Sequence, residues 1–392
     1  MTKADKEGQR KAPILRFKGF TDAWEQREFI QILKAKDGIK RGPFGSALKK
    51  EYFIPYGNYA VYEQRNAIYN SFNTRYYITQ NKFEELKKFE LVPGDIIMSG
   101  AGTIGRLAMI PSNSKPGVFN QALIRFRVNE QNDNLFFLYF MRTPKLQKKL
   151  TNVNPGSAMV NLVPIKEIKK WECLFPYKRE QKRIVSLLSK MDSILTLYER
   201  KIKALKKLKQ AIFEVLNSIP HKSNVYRISE IFDVTRGNVL SKKSISNKFS
   251  NMYPVYSSQT KNDGLLGYYS DYLFENSITW TTDGANAGTV KYRTGKFYCT
   301  NVCGVLLNSE GYCNEYTAEV IEKETPKFVS HVGNPKLMNN VMKQIKIKLP
   351  DVATQQSYSD ILLTFDNVCT SFCNKLNDLN QIKNKLLNTM FI

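Results

Sequence analysis

Histidine is almost missing from this chain: its 392 residues include only His221 and His331. That scarcity excludes a histidine-built metal centre, there is no HExxH motif, and neither histidine stands in a plausible Ser, His, Asp grouping. His221 follows Pro220 in an apparent linker and His331 sits in "SHVGNP", so both read as loop residues. The six cysteines, Cys173, Cys299, Cys303, Cys313, Cys369 and Cys373, form no CxxC pair. Cys299, Cys303 and Cys313 cluster closely enough to suggest a metal, but small buried thiols on strands are the expectation. No run approaches the roughly 20 apolar residues of a membrane span, and the opening "MTKADKEGQRKAPILRF" lacks the apolar core of a signal peptide, so a cytoplasmic protein is expected.

Motifs for chemistry are missing too. A phosphate-binding loop needs a glycine five residues before its Gly-Lys pair; "VKYRTGKF" offers Val290 there and Phe297 after the lysine. Asp95 in "PGDIIMSG" has no ExK partner of the kind a metal-dependent nuclease uses, and reads as a turn residue. The Asn-Pro-Pro-aromatic signature of amino-methyltransferases is absent, "NPG" at 154–156 being the nearest approach. These absences point to a binding protein with no catalytic residue, metal or cofactor of its own. Acid is also scarce: 59 Lys and Arg face 35 Asp and Glu, a net charge of +24. A surface this basic attracts a polyanion, and nucleic acid is the first candidate.

What is present is a repeat. Residues 179 to 216, "REQKRIVSLLSKMDSILTLYERKIKALKKLKQAIFEVL", run without glycine or proline. An offset of 174 places Pro176 on Pro350, Gln181 on Gln355, Leu188 on Leu362 and Asp192 on Asp366. Ile184, Leu188, Met191, Leu195, Tyr198, Ile202 and Leu205 alternate by four and three, as do Tyr358, Leu362, Phe365, Phe372, Leu376 and Leu379 with Cys369 between them. This is a heptad pattern, with lysine in the same seam slot of each copy, Lys209 and Lys383. Two such helices bury their stripes most simply against each other, as an antiparallel coiled coil of roughly 50 Å.

The segments ahead of the helices echo one another. "REFIQILKAKDG" (27–38) resembles "YRISEIFDVTRG" (226–237), with Gly38 over Gly237. "GDIIMSGAGTIGRLAMI" (94–110) resembles "NSITWTTDGANAGTVKY" (276–292), with Gly102 over Gly288 and Thr103 over Thr289; "VFNQALIRF" resembles "YCTNVCGVLL", with Asn120 over Asn301. Runs such as 95–98, 122–128, 277–280 and 304–307 read as strands, and 81–90 and 135–150 as helical, so each unit is α+β. The predicted fold is two tandem globular domains, each followed by a long helix, with the helices paired: a pseudo-twofold internal repeat.

Three stretches carry a family resemblance: "LRFKGFTDAWEQRE" (15–28), "MSGAGTIGRLAM" (98–109) and the junction "GSAMVNLVPIKEIKKWECLFPYKREQKRIVSLLSKMDSIL" (156–195), in which Glu180 and Gln181 open the helix. The chain resembles the DNA-specificity subunit of a type I restriction-modification system over essentially its whole length. The second copy keeps Gln355 but has Thr354 at the glutamate position. The resemblance implies an N-terminal tail (1–19), two target recognition domains (20–177 and 218–350), a central spacer helix (178–217) and a C-terminal spacer helix (351–392). It implies a non-catalytic, double-stranded-DNA-binding subunit that directs two modification (methyltransferase) subunits, and restriction subunits where present, to a bipartite, asymmetric, interrupted target. S-adenosylmethionine is then expected on the partner methyltransferases, not on this chain. A free-standing DNA-binding regulator or architectural protein with two unlike domains is the competing expectation.

Base reading wants Arg, Asn, Gln, Ser and Thr in loops, and phosphate contact wants Lys and Arg. In the first domain the candidates are Lys40, Arg41, Lys49, Lys50, Gln64, Arg65, Asn66, Ser99, Thr103 and Arg106. In the second they are Arg236, Ser257, Ser258, Gln259, Lys261, Asn262, Thr282, Asp283, Asn286 and Thr289. Tyr62 and Tyr256 could stack on a base, though packing is the stronger expectation. Helix residues 178–216 carry eleven Lys or Arg against four acids. Lys201, Lys203, Lys206, Lys207 and Lys209 could follow the DNA backbone or form a solvated face for partner subunits, and the second is preferred.

Overall fold

Each domain opens and closes on strands that pair with each other. Strand β1 (Glu25–Glu28) lies antiparallel to β12 (Glu172–Phe175), and β13 (Asn224–Arg227) to β20 (Lys346–Leu349), in the same register: Glu25 faces Phe175 as Asn224 faces Leu349. The structure, a computed structural model, describes residues 11–153, 160–247, 252–258 and 261–392. The 154–156 "NPG" motif lies outside them. The chain divides into two compact units, one running to Leu197 and including Leu376–Ile392, the other Tyr198–Lys375.

In the first unit the remaining strands are β2 (Ile39–Arg41), β3 (Tyr59–Tyr62), β4 (Tyr76–Ile78), β5 (Glu90–Leu91), β6 (Ile96–Ser99), β7 (Leu107–Met109), β8 (Gly117–Phe119), β9 (Leu123–Phe126), β10 (Thr151–Val153) and β11 (Val160–Leu162). They form four-stranded sheets β2-β9-β6-β7 and β4-β3-β8-β5, with β10 and β11 a separate pair. The second unit has β14 (Asp233–Arg236), β15 (Tyr253–Tyr256), β16 (Leu265–Tyr269), β17 (Phe274–Thr281), β18 (Val290–Cys299) and β19 (Cys303–Leu307), in one six-stranded sheet of order β14-β19-β17-β18-β15-β16. The ten-residue β18 does the work of both β7 and β8. In the first unit "PSNSKP", with Pro111 and Pro116 at its ends, interrupts the same path, because proline cannot donate to a sheet ladder.

One helix from each domain presses the sheet against the long helices. Asp133 caps the first, its carboxylate accepting from the amides of Leu135 (2.9 Å) and Phe136 (3.0 Å); Asn314 caps the second, accepting from Thr317 (2.9 Å). Phe136 and Phe137 then join Trp24, Phe29, Phe126, Ile184, Leu188 and Phe391 in one core. Tyr316 and Ile321 join Ile278, Trp280, Phe213 and Leu362 in the other.

The long helices are Lys178–Ser218 and Val352–Thr389, 41 and 38 residues. All thirteen seam residues named from the sequence are buried or half-buried, with Ile184 and Leu188 closed off in the first unit and Leu362 in the second. The pairing is antiparallel: in the second unit Tyr198 packs on Phe372 (5.5 Å between ring centres), and eleven residues further along, Lys209 reaches back to Asp366 (2.7 Å). In the first unit Lys383 pairs with Asp192 (2.5 Å), so each seam lysine meets the aspartate that the other helix carries at the matching repeat position. Each helix start is fastened alike. Gln181 and Gln355 are buried and each donates to the carbonyl of the proline five residues earlier, Pro176 and Pro350, at 2.8 Å. Glu180 is closed over by a two-pronged pair with Arg16 (2.7 and 2.8 Å). Thr354, in the corresponding place, instead receives the Asp351 side chain as its cap.

Candidate nucleic-acid interface

Four turns meet at one end of the first unit's sheets, and backbone hydrogen bonds tie them together. Gly42 donates to Leu123 (3.0 Å), Asn120 to Tyr62 (3.0 Å), Leu123 to Asn120 (3.1 Å), Gly100 to Ala122 (2.8 Å), Gly105 to Ser99 (3.0 Å) and Ser99 to Arg106 (2.9 Å). The second unit repeats every bond: Gly237 to Cys303 (3.0 Å), Thr300 to Tyr256 (2.9 Å), Cys303 to Thr300 (2.9 Å), Thr282 to Val302 (3.2 Å), Gly288 to Thr281 (2.9 Å) and Thr281 to Thr289 (3.0 Å). This matching corrects the sequence alignment. Gly237 answers to Gly42 and not Gly38, Gly288 to Gly105 and not Gly102, Thr289 to Arg106 and not Thr103, and Thr300, not Asn301, to Asn120. Gly105 and Gly288 both need a positive φ (81° and 89°) to close the turn, which explains why glycine recurs there.

Several candidate side chains prove to be parts of this framework. Asn66 is buried, accepting from the Glu63 amide (2.7 Å) and donating to the Ser71 carbonyl (2.7 Å), a cap on the helix Gln64–Tyr69. Ser99 is buried and folds over its own turn, donating to the Thr103 carbonyl and accepting from the Arg106 amide (2.9 Å). Thr282 is buried and spans Asp283 (2.7 Å) and the Val302 carbonyl (3.0 Å). Asn, Ser and Thr satisfy nearby backbone as readily as they read a base, and here they do the former. Lys40 is held by Asp37 (2.7 Å) and the Lys88 carbonyl (2.9 Å), and Ser257 accepts from the Thr300 hydroxyl (3.0 Å). Tyr62 is buried, and Tyr256 lies 3.8 Å beneath the Arg293 guanidinium; both are packing residues.

Arg65, Thr103 and Arg106 are exposed, and the two arginine side chains have no hydrogen-bond or ion-pair partner among the described residues. Gln64 reaches across to the Ala101 carbonyl, joining two of the turns, and Arg41 donates to Gln121 (3.3 Å). In the second unit Arg236 donates to Asn339 (3.2 Å), Ser258 is half-buried, and Asp283, Asn286 and Thr289 line the turn equivalent to 100–106, with Asp283 4.0 Å from Lys336. Lys261 and Asn262 lie on the turn Lys261–Gly264; Gln259 is outside the described residues. Lys49 and Lys50 are exposed on separate short turns, Lys49 near Glu51 (3.4 Å). Exposed Gln121 and Asn301, at matching places in the β8–β9 and β18–β19 turns, were missed as candidates; the similarity of "VFNQA" to "YCTNV" was the signal that could have found them.

Charge behind this end is spent internally. Asp95 is more than a turn residue: it is buried and grips Arg127 with both oxygens at 2.7 Å. Arg125, also buried, reaches Asp37 (2.5 Å), where burial pushes the carboxyl up and the Arg125 and Lys40 contacts more than reverse it, to about 2. Lys209, one of the five helix lysines expected on a DNA or partner-subunit face, is instead buried among Glu315 (2.6 Å), Glu319 (2.7 Å) and Asp366 (2.7 Å); Lys201, Lys203, Lys206 and Lys207 are exposed. The cysteines are all free thiols. Cys299 and Cys303 pack with Phe297 and Val305, and among the described residues no three His, Cys, Asp or Glu side chains gather to hold a metal ion. No helix among them is long and apolar enough to cross a membrane.

Comparison with known proteins agrees with this arrangement. The model of the type I restriction modification DNA specificity domain matches twice, over residues 23–207 and 220–384. A Mycoplasma pneumoniae chain named as a type I specificity subunit is 31% identical over 228 residues, 56% of this chain and 83% of that one. The specificity subunit of the Mycoplasma pneumoniae type I restriction enzyme MpnII is 37% identical over 147 residues, 37% of this chain and 44% of its own length. The crystal structure of a type I restriction-modification S subunit from M. genitalium superposes with a TM-score of 0.63 at 18% identity, covering 97% of this chain and 99% of that one, which shows a shared fold. With the domain, the paired helices and the doubled framework all accounted for by one family, this chain belongs to the DNA-specificity subunits of type I restriction-modification systems.

Proposed function

We propose that each unit reads one half of a bipartite, asymmetric, interrupted DNA target, and that the chain directs methyltransferase subunits, and restriction subunits where present, to it without catalysing anything itself. The observation that carries this is the doubled hydrogen-bond framework bearing unlike side chains. Where one unit offers Gln64, Arg106, Asn120 and Gln121, the other offers Ser258, Thr289, Thr300 and Asn301. Equal scaffolds with unequal donors and acceptors favour two different half-sites, since base identity is read through side-chain chemistry.

The long helices supply the spacing in this reading, and exposed Lys201, Lys203, Lys206 and Lys207 a face for partner subunits, which would carry S-adenosylmethionine. The test is single-molecule methylome sequencing of cells with the chain and a partner methyltransferase, against cells lacking the chain. One interrupted, asymmetric methyladenine motif that vanishes on deletion is the expected outcome; unchanged motifs, with DNA binding retained in vitro, would favour a free-standing regulator. Inserting four residues, about one turn or roughly 6 Å, into both helices should lengthen the gap by one or two base pairs.

A further inference from the structure

The strand that leads into the DNA-facing end finishes on a shared pattern, Arg41-Gly42-Pro43-Phe44 in one unit and Arg236-Gly237-Asn238-Val239 in the other. Neither glycine can carry a side chain: an added Cβ would lie 2.0 Å from the Asn120 carbonyl oxygen at Gly42, and 2.2 Å from that of Cys299 at Gly237. The strand end is thereby clamped to the neighbouring turn, and the direction of the next residues is fixed. Two positions on, an apolar side chain stands in water: Phe44 is 68% exposed and Val239 79%.

Single exposed apolar residues are ordinary on a protein surface. An apolar residue held out at the same place in two copies, where the surrounding side chains differ, is a repeated device. Its surroundings identify what it meets. The Arg41 guanidinium lies 5.6 Å from the Phe44 ring and is tied to the Gln121 carbonyl, while exposed Arg65 and Arg106 belong to turns of the same bonded framework. An apolar tip among arginines suits a duplex, whose phosphates take the guanidinium groups and whose bases present stacking faces and thymine methyls.

We propose that Phe44 and Val239 are base-contacting wedges, one for each half-site: Phe44 inserts at a base step and stacks there, and Val239, too small to stack, packs on a thymine methyl. This deepens the two-half-site reading and rests on it. The full chain, assembled with its methyltransferase subunits, is mixed with duplexes of its methylome-defined motif carrying 2-aminopurine at successive positions of the first half-site. Away from the adenine that the methyltransferase flips out to methylate, wild type should brighten one step. Phe44→Ala should leave that step dark and bind roughly 5- to 150-fold more weakly, with an unchanged melting temperature because the side chain is exposed. Val239→Ala and thymine-to-uracil replacement in the second half-site should each weaken binding, and together no more than either alone.

Phe44→Ala binding within twofold of wild type, or a wild type that brightens no step other than the methylated adenine, overturns the inserted Phe44. Additive losses at Val239 overturn the methyl contact. A wild-type complex with no interrupted motif at all refutes the two-half-site reading first, and this inference with it.

Discussion

Replacing Glu315 with glutamine removes one of the three carboxylates gathered around Lys209 and the proton that it takes up on folding. Three carboxylates surround one ammonium, so the cluster cannot be fully ionised without surplus negative charge in a buried place. Burial opposes the charged form of Glu315; Lys209 pulls the other way and Asp366 adds to the burial, leaving the carboxyl raised from 4.5 to about 7. Lys209 is itself shifted upward: burial alone would lower it, and the three carboxylates outweigh that. Between pH 4.5 and about 7 the folded chain therefore binds a proton that the unfolded chain has released, and stability falls as pH rises across that window. Moving one carboxyl that far corresponds to about 3 kcal/mol. The lysine's shift has the same sign in a higher window: its contribution is fully present below 10.5 and is lost only above it, outside the range compared. Amide exchange of peptides spanning 315–324, corrected for intrinsic rates at pH 5 and 7.5, should show wild type losing protection on that scale, with Glu315→Gln flattening most of the loss. Half-buried Glu322, also pushed up by desolvation, leaves a remainder. Peptides spanning 134–141 are the internal reference, because among the described residues Asp192 is the only carboxylate paired with Lys383. A glutamine variant that keeps the wild-type pH dependence would refute the account.

Lys209→Met should cost about 3–5 kcal/mol at pH 7.5, since it strands buried carboxylates, and less at pH 5, as read by the same exchange measurement. Gly42→Ala forces a methyl against the Asn120 carbonyl and should destabilise the first unit by at least 1–3 kcal/mol in denaturant titrations, with Gly237→Ala doing the same to the second. Gln181→Leu leaves the Pro176 carbonyl and Asn132 without their partner and should cost about 2–4 kcal/mol, as should Gln355→Leu through Pro350 and Asn314. Burial pushes the Cys173 thiol up to about 12 and those of Cys303 and Cys313 to about 11, so site-resolved alkylation at pH 8 should leave these three largely unmodified until the chain is unfolded.

The long helices were legible because a heptad stripe survives any change on the outer faces, and because Gln181 and Gln355 perform one task in one setting. The strands near 96–99, 123–126, 277–280 and 304–307 were legible for a similar reason, as short β-branched runs between turn formers. The alignment of the globular parts slipped by four residues at Gly38, where the lengths between conserved contacts differ. The Arg-Gly pairs at 41–42 and 236–237 were the true anchor, but a dipeptide carries too little information without the carbonyl pressed against it. Among the DNA-contact candidates, Asn66, Ser99 and Thr282 went to holding turns. Whether a polar side chain faces outward or returns to its own backbone depends on turn geometry that composition does not carry.

The crossing of Lys209 with Asp366 and of Lys383 with Asp192 has an implication for ancestry. The sequence offset that carries Asp192 to Asp366 also carries Lys209 to Lys383, so a helix of this type laid head to tail against its own duplicate satisfies both charges at once. The pattern is a palindrome written in side chains. A founding gene encoding one globular part and one helix could already have been fully matched as a pair of identical chains, and fusing two copies would have demanded no new interface. In the single chain the crossed charges hold the two helices in step and leave the outward turns free to differ.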